Sequence, residues 1–119
     1  MSIDVNLIFS QSAVATTDKK NEMVFHEGET TKFYYQIIEG GVILYNSNIT
    51  ANEFTQDLFC TGERFDESPL LINETYPRNT VTILDSDILK LSKKDFLKIL
   101  EDYPPIQKYF LLLLAKRIW

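Results

Sequence analysis

One cysteine and one histidine in 119 residues leave little room for several kinds of chemistry. Cys60 has no intramolecular partner, so a disulfide scaffold is excluded. His26 alone cannot build a His-based metal site, a zinc finger or a Cys–His–Asx catalytic module with a spare imidazole. A cupin-type metalloenzyme needs two or more His ligands, and no Ser–His–Asp spacing exists around a lone histidine. Glycine and proline are scarce, four of each, which excludes collagen-like and proline-rich material. Positive charge is also in deficit: twelve basic residues face seventeen acidic ones, for a net charge of −5. Phosphate neutralisation needs a clustered basic surface, so this chain is not expected to bind nucleic acid itself. Long apolar runs are missing. The longest, Tyr109 to Ala115, is seven residues, against the roughly twenty of a membrane helix. Ala13-Val14-Ala15 has the look of a signal-peptidase site, but the segment before it carries Asp4, no Lys or Arg, and only Leu7-Ile8-Phe9 as an apolar stretch. These absences predict a cytoplasmic protein that is not an enzyme and has no membrane contact.

What is present is ordinary globular composition, 45% apolar, 13% aromatic and 24% charged, in a length that holds one core. Short β-branched and aromatic runs come first. Leu7 to Phe9 and Ala13 to Ala15 are candidate short strands, followed by a polar turn over Thr16 to Asn21. Met23 to Phe25 is a strand that stops at the turn His26-Glu27-Gly28-Glu29. Phe33 to Ile38 and Val42 to Tyr45 flank Glu39-Gly40-Gly41, a pattern that predicts a β-hairpin. A weaker strand is expected around Phe54 to Phe59, and further strands at Thr80 to Leu84 and Ile88 to Leu91, with Asp85-Ser86-Asp87 as the turn between them.

The period then changes from two to 3.6. Ser92 is a helix N-cap, with Asp95 three residues on and Phe96, Ile99 and Leu100 on one face. Pro104-Pro105 ends that helix, and Pro105 suits the first turn of another. From Ile106 to Trp119 almost no polar face remains, so this helix needs cover on more than one side. The chain stops at Trp119 without a capping signal, as though cut short. Many short strands followed by helices predict a mainly β fold, a jelly-roll or double-stranded β-helix barrel with short helices and an apolar C-terminal helix. A single domain over 1–119 is expected, with the barrel and first helix at about 1–103 and the second helix at 104–119.

Gly62-Glu63-Arg64-Phe65-Asp66-Glu67-Ser68-Pro69-Leu70-Leu71 joins two of these strands and is followed by Tyr76-Pro77-Arg78-Asn79-Thr80-Val81. Taken with Glu27-Gly28-Glu29 and Glu39-Gly40-Gly41, this series resembles the cyclic nucleotide-binding domain of the Crp/Fnr (catabolite activator) transcription regulators, over roughly Met23 to Ile118. The resemblance implies a phosphate-binding cassette built from Phe65, Asp66, Glu67, Ser68, Arg78, Asn79 and Thr80. Glu67 matches the carboxylate that takes the ribose 2′-hydroxyl, and Arg78 matches the arginine that pairs with the phosphate. Both roles suit the groups: a carboxylate only accepts, and a guanidinium fork fits a phosphate. Amides at the start of the short following helix supply the rest.

One departure bears on affinity. Asp66 stands where the family has a glycine. At about 5 Å from a phosphate and an effective dielectric of 20 to 80, its charge costs roughly 1–3 kcal/mol. Asp66 is also a strong N-cap residue that competes for the same amides. Pro69 removes a further donor from that turn.

The resemblance therefore implies an effector-sensing regulatory domain that binds a cyclic nucleotide (cyclic AMP or cyclic GMP) or a similar small anion weakly or not at all, with no other cofactor. The alternative is a scaffold that has kept the barrel and lost the ligand. A homodimer through the 105–119 helix is expected, and DNA contact only through a domain outside this chain. Plainer readings stand beside these. Arg78 also reads as a surface arginine paired with Asp66 or Glu67, and Glu67 as a first-turn carboxylate favoured by the helix dipole. Tyr34 and Tyr35 read as sheet packing, His26 as an exposed strand-end residue, and Cys60 as a half-buried small hydrophobe.

Overall fold

The period-two runs form eight strands arranged as two antiparallel sheets in the computed structural model, which describes residues 13–46, 56–65 and 67–118. The side chains of Gln56, Glu67, Ser68, Arg117 and Ile118 are outside that description. The strands are β1 (Val14–Asp18), β2 (Met23–Phe25), β3 (Phe33–Glu39), β4 (Gly41–Tyr45), β5 (Gln56–Cys60), β6 (Arg64–Phe65), β7 (Asn79–Thr82) and β8 (Ser86–Ser92). The helices are α1 (Glu67–Leu71), α2 (Lys93–Asp102) and α3 (Pro104–Ile118). One sheet runs β1-β8-β3-β6 and the other β2-β7-β4-β5. The chain changes sheet at nearly every connection, as a jelly roll requires. Among the described strands, β4 and β5 are the one sequential pair that hydrogen-bonds.

The hairpin expected at Glu39-Gly40-Gly41 is therefore absent. β3 pairs with β8 and β6, while β4 pairs with β5 and β7. The Gly-Gly step is a corner where the chain passes from one sheet to the other. A hairpin and a corner share the same local signature, two apolar runs around glycines, and only the distant partners β7 and β8 separate them. Two boundaries also shift. β1 continues through Thr16, Thr17 and Asp18, which read as a turn, because that edge pairs with β8 from Thr16↔Ile88 to Asp18↔Ser86. β8 for the same reason begins at Ser86, inside the expected Asp85–Asp87 turn. The candidate strand at Leu7 to Phe9 lies outside the described residues.

The unbroken apolar character of β3 has a packing cause. Tyr35 and Ile37 face the barrel interior with Phe25, Val42, Leu44, Phe65, Tyr76 and Ile88. Tyr34, on the opposite face, belongs to a second cluster with Leu70, Leu89, Leu91, Phe96, Ile99, Ile106 and Phe110. A strand covered on both faces loses its polar alternation. The helices supply the outer cover. Ser92 caps α2 by accepting from the Asp95 amide at 3.2 Å, which turns Phe96 and Ile99 onto the sheet. The chain reverses at Tyr103, and α3 returns Ile106 and Phe110 to the same cluster. Its other side is exposed, Leu111 by 68% and Leu112 by 53%. Among the described residues no helix is long and apolar enough to cross a membrane.

Candidate functional site

The expected cassette residues sit on three consecutive pieces: β6, α1 and the start of β7. Gly62 turns the chain into β6 with φ +85°, and its amide donates to the Ile37 carbonyl at 2.7 Å. Glu63 closes the turn, its carboxylate accepting from the Cys60 amide at 3.0 Å. Cys60 itself is exposed, not half-buried, because it falls on the outward parity of β5. Phe65 pairs with Tyr35 across the sheet and stacks on it at 5.3 Å inside the barrel. That places Phe65 as an anchor of the cassette, fully in the core. Asp66 lies outside the described residues, and the side chains of Glu67 and Ser68 likewise. α1 is pinned by Leu70, which is wholly buried in the outer cluster.

The return to β7 is stitched to the turn after β2. Thr31 donates its hydroxyl to the Glu74 carbonyl at 2.8 Å. The Gly28 amide donates to the Tyr76 carbonyl at 2.8 Å, and the Tyr76 amide to the Glu29 carbonyl at 3.0 Å. Tyr76 stacks on Phe25 with ring centroids 3.6 Å apart. Asn79 is buried and accepts from the Glu27 amide at 2.8 Å. Residues 25–31 thus hold residues 74–79, and Arg78 projects from a supported segment.

Register locates the functional face. Leu44 lies between Thr80 and Asp57 in the second sheet, and Val42 between Thr82 and Phe59. Val42 and Leu44 are fully buried in the barrel cluster, so Asp57 and Thr80 share the inward face. Arg78 lies in the bend just before β7. Its guanidinium forms an ion pair with Asp57, the Arg78 side chain being 19% exposed and that of Asp57 54%. The expected partners, Asp66 and the Glu67 side chain, lie outside the described residues, and Asp57 was not anticipated. Its signal was there, since it alternates with Phe59 along β5 and a strand places such residues on one face. Thr80 is fully buried, and its hydroxyl has no hydrogen-bond partner among the described residues. Inside the barrel, burial pushes the Tyr35 phenol up to about 12, against a hydrogen bond with Tyr76.

Two other features bound the site. Arg64, the residue before Phe65, donates from Nη1 to the Tyr109 hydroxyl at 2.8 Å, and its guanidinium lies 5.0 Å from the Tyr109 ring centroid. The cassette strand is thereby tied to α3. A cavity of about 670 Å³ opens at the Gly40 corner. Glu39, Asp85 and Asp87 outnumber Lys20 in its lining, so it does not suit an anion, and none of the expected cassette residues reaches it. Among the described residues no cluster of His, Cys, Asp and Glu is arranged to hold a metal ion.

The model of the cyclic nucleotide-binding domain family matches residues 16–103, most of the chain. The chain belongs to this family. As a cyclic nucleotide-binding domain it is similar to the cyclic AMP receptor protein of Thermus thermophilus, with 27% identity over 95 residues. That match spans 80% of this chain and 44% of the relative. The crystal structure of the Thermus thermophilus catabolite activator protein superposes with a TM-score of 0.84 at 23% identity, over 96% of this chain and 53% of that one. The sensor domain of the transcriptional regulator DNR from Pseudomonas aeruginosa gives 0.77 at 22% identity, over 93% and 74%. The chain thus spans about half the length of the first two. These neighbours share the jelly roll and its helices, and are regulators of the Crp/Fnr type.

Proposed function

We propose that this cyclic nucleotide-binding domain is the effector-sensing part of a Crp-like transcription regulator, and that its effector is a cyclic nucleotide or similar small phosphate-bearing anion held weakly. The observation that carries the reading is Arg78, its side chain only 19% exposed, with a carboxylate already on its guanidinium. A mostly buried guanidinium is a strong partner for phosphate. Two carboxylates lower the affinity: Asp66 at the family's glycine position, and Asp57. In the cassette, Glu67 is assigned to a ribose hydroxyl, Ser68 and the α1 amides to phosphate oxygens, and Asn79 and Thr80 to the rim beside Arg78. Sensing needs the effector to bind one conformation of the domain better than another, and the Arg64–Tyr109 bond gives α3 a direct link to the cassette strand. A second copy of the chain is the assigned cover for Leu111 and Leu112, and DNA recognition is assigned outside the barrel.

Calorimetric titration with cyclic AMP and cyclic GMP tests the site. Weak, saturable binding is expected, with a loss of at least about tenfold in Arg78→Gln, since one charge-assisted contact contributes roughly 1.5–3 kcal/mol. Absence of heat at millimolar nucleotide would favour a second reading, a ligand-free scaffold whose working surface is the exposed side of α3. The observation behind that reading is the same ion pair, which leaves Arg78 already satisfied.

A further inference from the structure

We propose that Asp57 is a built-in competitor for the effector: its carboxylate holds the Arg78 guanidinium, and an incoming phosphate binds by taking Asp57's place. The inference rests on the reading of Arg78 as the phosphate partner. Its basis is the ion pair that already occupies Arg78. β4 lies between β7 and β5 in the sheet, so the guanidinium reaches across a whole strand, over Leu44, to meet Asp57. A phosphate on the guanidinium needs the same N–H donors that Asp57 occupies.

Asp57 opposes that exchange twice. It forms an ion pair that has to be broken, and it leaves a negative charge on the face the ligand enters. Both effects have the same sign, and both vanish when the carboxylate is neutralised. The mouth of the barrel makes the exchange feasible. Asp57 is about half-exposed, so on release its carboxylate returns to water, avoiding the desolvation cost of an unpaired buried charge. Arg78 is the better buried of the two, and it stays paired throughout, first with carboxylate and then with phosphate. Asp57 thus sets the effector concentration at which the domain responds, without touching the nucleotide itself.

Cyclic AMP titrated calorimetrically into the chain, Asp57→Asn, Asp57→Ala and the double variant Asp57→Asn/Arg78→Gln tests this, with thermal melts confirming that each is folded. Both single variants are expected to bind about two- to fivefold more tightly than the unsubstituted chain, the range of a partly exposed ion pair, and the double variant to lose the gain. Unchanged or weaker affinity in both single variants, alongside binding by the unsubstituted chain that Arg78→Gln abolishes, would overturn the competitor role and leave the phosphate site standing. No heat from any of the four proteins would overturn both.

Discussion

Replacing Gly40 with alanine is expected to lower the melting temperature by roughly 10–20 °C, with the jelly-roll corner as the cause. Gly40 has φ +119°, a region that L side chains rarely adopt, and a Cβ built there would lie 2.6 Å from Ser86 Cβ and 2.8 Å from Ser86 Cα. The second contact is with backbone, so no rotamer relieves it. The corner is also hydrogen-bonded on both sides: the Gly40 amide donates to the Thr61 hydroxyl at 3.1 Å and the Gly41 amide to the Ser86 hydroxyl at 3.1 Å. Backbone strain of about 1–3 kcal/mol and overpacking of about 1–3 kcal/mol act together. Near this chain length, each kcal/mol moves the midpoint by roughly 4 °C. Gly62 is the internal comparison. Its φ is +85°, but an added Cβ meets nothing within 4 Å, so Gly62→Ala should cost only the conformational penalty of about 1–2 kcal/mol. Melting of the two variants side by side separates crowding from backbone strain. Equal shifts would show that the approach of β8 to the corner is unimportant.

Phe96→Ala is expected to destabilise the domain by about 3–5 kcal/mol and to loosen α3 more than the barrel. Phe96 is wholly buried, stacks on Tyr34 at 4.7 Å and meets Phe110 edge-on at 5.4 Å. It is the ring that joins the outer face of β3, α2 and α3. The barrel's own cluster, around Tyr35, Phe65 and Phe25, lies on the other face of that sheet and keeps its contacts. Hydrogen exchange should therefore show protection lost first across 104–118, with β4 and β7 protected until global unfolding. Uniform loss across both sheets would mean that the two clusters unfold as one unit.

The contrast between these clusters also explains what could be read from the sequence. Ser92, Asp95 and Phe96 announced α2 correctly because a cap and a 3.6-residue period are local properties of adjacent residues. The strands were visible for the same reason, and the order of short motifs from Gly28 to Arg78 was enough to name the family. The Gly40 corner was misread as a hairpin, because the choice between partners is made by β7 and β8, some forty residues away. Thr16 and Thr17 looked like a turn until β8 was there to pair with them. Within the candidate site, Arg78 was named by its place in the Pro77-Arg78 motif, whereas Asp57 was not. The sheet brings Asp57 to the Arg78 guanidinium from the far side of β4. Such a pairing follows from register, which composition does not reveal.

The claim on which the account depends is that an anion enters the barrel at Arg78. Amide chemical shifts of the ¹⁵N-labelled chain, followed through a cyclic AMP titration, test it most directly. Saturable shifts centred on residues 65–71 and 78–80 are predicted, with the Gly40 corner unmoved. No shifts at millimolar nucleotide, or shifts gathered at Lys20, Gly40 and Asp85, would contradict it.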